Sequence, residues 1–105
     1  MNSDVDRKKF NDILVDSIIE GLDFGEVILR FIELKSNLDR NKIVDEPEFF
    51  AEELEEIFGL WIANIFKENI LRFLCGKLNI NYSDIKDLNF QEAVRKAFEK
   101  YSEKP

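Results

Sequence analysis

From Asp45 to Phe66 the chain reads DEPEFFAEELEEIFGLWIANIF. Pro47 suits the first turn of a helix, and Asp45 with Glu48 three residues on has the spacing of a reciprocal N-terminal cap. Phe50, Leu54, Ile57 and Phe58 recur on one side at helical spacing. Gly59 then interrupts, and an apolar run holding the only tryptophan, Trp61, follows at once. The stretch predicts two helices meeting at Gly59, with a left-handed cap there. A kink within one longer helix is the alternative, because no Ser, Thr, Asp or Asn follows until Asn64.

Working upstream, a helix is expected over about 4–20, capped by Ser3 with Asp6, with Phe10, Ile13, Leu14, Ser17 and Ile18 on one face. Gly21 is expected to stop it in the left-handed conformation. Asp23 and Glu26 predict a second capped helix over about 24–37, with Phe24, Val27, Ile28, Phe31 and Leu38 as its inward stripe. The helix over 46–58 follows. Downstream, the segment 60–78 is apolar on most faces through Ile62, Ile65, Phe66, Ile70, Phe73, Leu74 and Leu78, which predicts the central helix. A turn at Asn79–Ser83, with room for a short helical turn at Ser83–Asp87, precedes a last helix over about 90–101, capped by Asn89 and Glu92. The run Asn79–Tyr82 alternates polar and apolar but is too short to pair as a strand. The reading is all-α: a single domain, 1–105, built as a compact four- to five-helix bundle.

Composition narrows the chemistry. Ten phenylalanines and 45% apolar residues in 105 support a packed core without staples. Histidine is absent and cysteine occurs once, as Cys75. Ser-His and Cys-His catalysis and His- or four-Cys zinc sites are therefore excluded, leaving only carboxylate or lysine chemistry. Cys75, set among Phe73, Leu74 and Leu78, reads as a core residue. The longest apolar-rich segment, 60–78, is broken by Asn64, Lys67, Glu68, Asn69, Arg72 and Lys77, so it is no membrane span. The N-terminal MNSDVDRKKF has no apolar h-region, and a cytoplasmic location is expected.

The net charge of −7 is unevenly distributed. Residues 1–66 carry 7 basic and 16 acidic side chains, residues 67–105 carry 8 and 6. Seven carboxylates (Asp45, Glu46, Glu48, Glu52, Glu53, Glu55, Glu56) precede Gly59, and no base lies between Lys42 and Lys67. Like charges four apart on a helix cost roughly 0.2–0.5 kcal/mol per pair. Glu55 and Glu56 also sit in a last turn, where the helix dipole favours cations. Something basic should offset them: a partner protein, a second copy, or the chain's own Arg95, Lys96 and Lys100.

Glu52, Glu55, Glu56 and Trp61 are thus the candidate partner-binding residues. Trp61 reads first as a plug for the core, with an exposed anchor as the alternative. No catalytic residue, metal ligand, cofactor or small-molecule substrate is indicated. The turn from Asp39 to Asp45 has calcium-like oxygen spacing but lacks the sixth-position glycine, and Phe50 stands where the closing glutamate belongs. Acidity disfavours nucleic acid. The alternatives are a nucleic-acid binder using the C-terminal basic helix, and a carboxylate enzyme with paired acids flanking a cleft.

The order FNDILVDSIIEGLDFGEVILRFIE, IVDEPEFFAEELEEIFG and LRFLCGKLNI, over roughly residues 10–80, resembles a family of small archaeal helical domains treated as output or regulatory modules. Gly21-Leu22, Gly25-Glu26, the Pro47–Phe50 opening and Ile57-Phe58-Gly59 carry the resemblance. It implies a helical fold, an archaeal source and no catalytic residues. The expectation is a non-enzymatic interaction or regulatory module, docking a basic protein surface through its acidic helix, or a homodimer.

Overall fold

The computed structural model describes residues 3–103, in which every regular element is a helix. Five α-helices form: α1 (Ser3–Gly21), α2 (Gly25–Ser36), α3 (Pro47–Phe58), α4 (Leu60–Leu78) and α5 (Phe90–Glu103). Two 3-10 segments, Arg40–Asp45 and Tyr82–Asp84, complete the chain path. The all-α bundle read from the sequence is what forms. Its radius of gyration, 12.9 Å, is that of a compact domain of this length.

Two helices share the centre of the bundle, α4 as expected and also α1. Helix α1 packs against α2, α4, α5 and the first 3-10 segment, burying Phe10, Leu14 and Ile18 completely. By contrast, α4 turns Ala63, Ile70, Leu71, Leu74 and Leu78 inward and leaves Leu60, Trp61, Ile62, Ile65 and Phe73 exposed. Its apolar residues are split between a core side and a solvent side, so being apolar all round did not mean being buried all round.

Asn11 fastens α1 to the first 3-10 segment. It is buried, its Nδ2 donates to the Arg40 carbonyl at 2.8 Å, and its Oδ1 accepts the Val44 N–H at 2.8 Å. Both ends of the amide are satisfied, which is the condition for burying it. The Asp39 carboxylate, once a candidate calcium ligand, accepts the Asn41 N–H at 2.9 Å and caps that segment.

Two glycines act by close approach. Gly21 lies within α1, and a Cβ there would come within 3.2 Å of the Asn69 carbonyl oxygen on α4. At Gly25 a Cβ would sit 2.5 Å from the Ile19 carbonyl oxygen, so α2 crosses α1 with no room for a side chain. The left-handed conformation expected at Gly21 falls instead on Phe24 (φ 58), Asn37 (φ 57) and Asn79 (φ 58). Gly59 separates α3 from α4 at φ 82, ψ 160, an extended mirror-image conformation that is open essentially to glycine alone, rather than a left-handed helical cap. There is no kinked single helix.

The caps divide in the same way. Asn89 and Glu92 form the predicted reciprocal box on α5, the Glu92 N–H donating to Asn89 Oδ1 at 2.9 Å. At α2 the cap position is Phe24, with no side-chain bond, and Glu26 goes to Arg40. At α3 the cap is Glu46, also without a side-chain bond; Asp45 pairs with Arg7 and Glu48 with Arg95. Arginines elsewhere in the fold competed successfully for these carboxylates. The expected cap at Ser3 lies outside the described side chains.

Candidate interaction surface

The acidic helix is neutralised from within. Lys35, at the end of α2, donates to Glu53 at 2.9 Å and to Glu56 at 2.5 Å, and the Ser36 hydroxyl donates to Glu53 at 2.6 Å. The Ser36 hydroxyl, aided by Lys35, holds the Glu53 carboxyl below the usual range. Lys67, on the second turn of α4, binds Glu55. The cations that the α3 dipole calls for therefore come from α2 and α4. Of the bases expected to offset the cluster, Arg95 does so, at Glu48 (2.8 Å); Lys96 pairs with Glu99 and Lys100 with Asp84. Glu52 is exposed and has no ion pair among the described residues.

Trp61 is 81% exposed, so it does not plug the core. The residue of the first α4 turn that points inward is Ala63, roughly opposite Trp61 on the helical wheel. Leu60, Ile62, Ile65 and Phe73 are exposed on the same helix.

A second apolar stripe lies on α2, where the sequence-based inward face proves to be largely outward. Phe24, Val27, Phe31 and Leu34 are exposed, and Gly25, Leu29 and Ile32 face the core. The fixed contact of Gly25 on Ile18 and Ile19 decides which stripe faces in.

The two stripes belong to helices that both pack on α1. Gly21, the last residue of α1, abuts Asn69 and Ile70 near the middle of α4. Lys35 reaches Glu53 and Glu56, so α2 ends beside the last turns of α3, just before Gly59 and Trp61.

Phe24 combines two unfavourable states. It is 80% exposed and holds φ 58, ψ 35. A bulky side chain in that region is a genuine outlier, costing on the order of 1–2 kcal/mol relative to ordinary helical backbone. Strained backbone of this kind clusters at functional positions.

A half-open cleft of about 340 Å³ lies between α4 and the second 3-10 segment, lined by Glu55, Asn64, Lys67, Glu68 and Tyr82 among others. Its two carboxylates are engaged, Glu55 by Lys67 and Glu68 by Arg72 at 2.9 Å. Arg72 also lies 4.4 Å over the Tyr82 ring. Burial, with a smaller contribution from Asp84, pushes the Cys75 thiol up, which suits a core residue and not a nucleophile. Among the described residues no helix is long and apolar enough to cross a membrane.

Fold and surface together define a small all-α bundle that exposes large apolar side chains on two of its helices. No protein family matches the chain, and no curated protein or solved structure is similar to it.

Proposed function

We propose that this chain is a non-enzymatic interaction module, regulatory in use, that works by docking another polypeptide on the exposed apolar side chains of α4 around Trp61. The observation that carries the reading is the exposure of Trp61, Ile62 and Ile65 on α4, with a second exposed apolar group, Phe24, Val27, Phe31 and Leu34, on α2. Scattered exposed apolar residues need no explanation, but aromatic and aliphatic groups collected along one helix ordinarily mark a contact surface. The regulatory role and archaeal setting are those implied by the resemblance over residues 10–80. A reducing cytoplasm suits a chain whose lone thiol is buried.

The acidic helix takes a smaller part than its sequence suggests. Glu53, Glu55 and Glu56 are bound by internal bases, leaving Glu52 and the exposed side of Glu56 as an acidic margin that orients a basic group of the partner. Nucleic acid is the weaker reading, because Arg95, Lys96 and Lys100 each face a carboxylate of this chain. So is carboxylate catalysis, since both acids of the cleft are held by cations.

Site-specific photo-crosslinking in cells tests the proposal. A photoreactive phenylalanine analogue at position 24 or 61 is expected to give a discrete polypeptide adduct, and the same group at Lys8 none. Equal adducts from all three positions, or none from 24 and 61, would remove the reading.

A further inference from the structure

We infer that the cleft between α4, the second 3-10 segment and the start of α5 binds a small organic acid, a single carboxylate on an apolar body, with Lys86 as its counter-ion. The inference stands apart from the docking reading, and the cleft shares no residue with the group around Trp61.

The shape suits a small ligand. At about 340 Å³ the cleft falls within the range in which proteins hold small molecules. Leu71 on α4 and Phe90 on α5, both buried, give it an apolar side together with the partly exposed Leu88. Tyr82 adds an aromatic ring, steadied by the Arg72 guanidinium 4.4 Å from its centroid. An apolar side with a few convergent polar groups is the usual make-up of a small-molecule site.

The polar groups of the lining divide into those engaged and those left open. Glu55 is bound by Lys67, and Glu68 by Arg72 at 2.9 Å. Asn89 Oδ1 accepts the Glu92 N–H. Among the described residues, the Lys86 ammonium, the Asn64 amide, Asn89 Nδ2 and the Tyr82 hydroxyl make no hydrogen bond or ion pair within the chain. Burial pushes the Tyr82 phenol up, with Glu68 adding to it, so the hydroxyl keeps its proton at neutral pH. All four groups can donate, which calls for a ligand rich in acceptors.

Charge narrows the acceptor to a monoanion. The Glu55–Lys67 and Glu68–Arg72 pairs cancel, and Lys86 remains as the one unpaired cation of the lining. Of the acids near it in sequence, Asp84 is met by Lys100 at 3.6 Å and Asp87 does not line the cleft. Two carboxylates in the lining would repel a second negative charge, so a phosphate dianion fits less well. A bare inorganic ion would also leave the apolar side without a partner. A carboxylate on a hydrocarbon body meets both halves of the cleft.

Benzoate and hexanoate, titrated into the full chain and followed through its amide spectrum, test the inference. Saturable shifts are expected at Asn64, Leu71, Tyr82, Leu88 and Phe90. Benzamide, which keeps the ring and loses the charge, should bind about tenfold more weakly or worse, as should benzoate to Lys86→Gln. Lys86→Arg should retain binding. Because Lys86 has no partner within the described chain, Lys86→Gln should leave the thermal midpoint where it is. No saturation, or shifts spread evenly over the surface, overturns the inference. So does binding indifferent to Lys86→Gln, or benzamide or inorganic phosphate binding as tightly as benzoate. The crosslinks at positions 24 and 61 report on the docking surface alone, so either reading can fail while the other stands.

Discussion

Arg40 holds Glu33 through two parallel donors, Nε to Oε2 at 2.8 Å and Nη2 to Oε1 at 2.7 Å. The same guanidinium reaches Glu26, one pair of helical turns earlier on α2, at 3.1 and 2.8 Å. Its carbonyl meanwhile accepts from Asn11. One residue thus ties α2, the first 3-10 segment and α1 together.

That clamp fixes the response to acid. Arg40 holds the Glu33 and Glu26 carboxyls below the usual range, and Ser36 with Lys35 does so for Glu53. A carboxyl lowered by folding binds fewer protons in the native state. Its contribution is present above the ordinary value of 4.5 and is lost as the pH falls through the lowered native value. With no histidine, no side chain of ordinary pKa changes charge between about pH 6 and 8. Urea unfolding should therefore give level stability across that range and a decline below about pH 4.5. Undiminished stability at about pH 3 would contradict the assignment.

Asn11→Ala should destabilise the fold by about 2–4 kcal/mol, because it removes two hydrogen bonds and leaves the Val44 N–H buried without its acceptor. Thermal unfolding reads the change as a drop of roughly 10 °C or more in Tm. A loss under about 0.5 kcal/mol would mean that water enters and replaces the amide.

The glycines should respond with opposite signs. Gly25→Ala drives a methyl against the α1 backbone, which cannot move aside as a side chain could, and should cost about 2–3 kcal/mol. Gly59→Ala meets open space but a forbidden backbone, at about 1–3 kcal/mol. Gly76→Ala should stabilise the monomer by about 0.5–1 kcal/mol. Denaturant midpoints of the three variants rank them directly, and a destabilising Gly76→Ala would show an unrecognised packing role.

The glutamates of α3 should separate in the same assay. Glu52→Gln should stay within about 0.5 kcal/mol of wild type. Glu55→Gln leaves Lys67, whose side chain is 12% exposed, without its carboxylate. Because Glu55 itself is two-fifths exposed, the cost should be only about 1 kcal/mol. Equal effects at the two positions would argue that the Lys67 pair contributes nothing.

Helix boundaries were legible because they are local. Pro47, Gly59, Asn79 and the Asn89–Glu92 box announce themselves within a turn. Which face of α2 turns inward was not, since Phe24, Val27 and Phe31 form as good a stripe as Gly25, Leu29 and Ile32. The choice depends on a backbone contact between Gly25 and Ile19, which no periodicity encodes. The same limit hid Lys35 and Lys67, the bases that offset the acidic helix, because they arrive from other elements. Asn11 gave no sign either: a polar residue beside Phe10 looks like surface until the 3-10 segment closes over it. Trp61 was read first as a core plug and is exposed, and the other exposed apolar residues, Phe24, Val27, Phe31, Ile62, Ile65 and Phe73, had been assigned to the core.

Gly59 has a mechanical consequence. Its N–H closes the last turn of α3 on Glu55 at 2.8 Å, and its carbonyl opens the first turn of α4 from Ala63 at 3.0 Å. A single residue thus completes two helical ladders, with no spare peptide between them to absorb rotation. The joint is a welded elbow and not a hinge. The α3 end of the joint is in turn tied to the end of α2 by the Lys35–Glu56 pair.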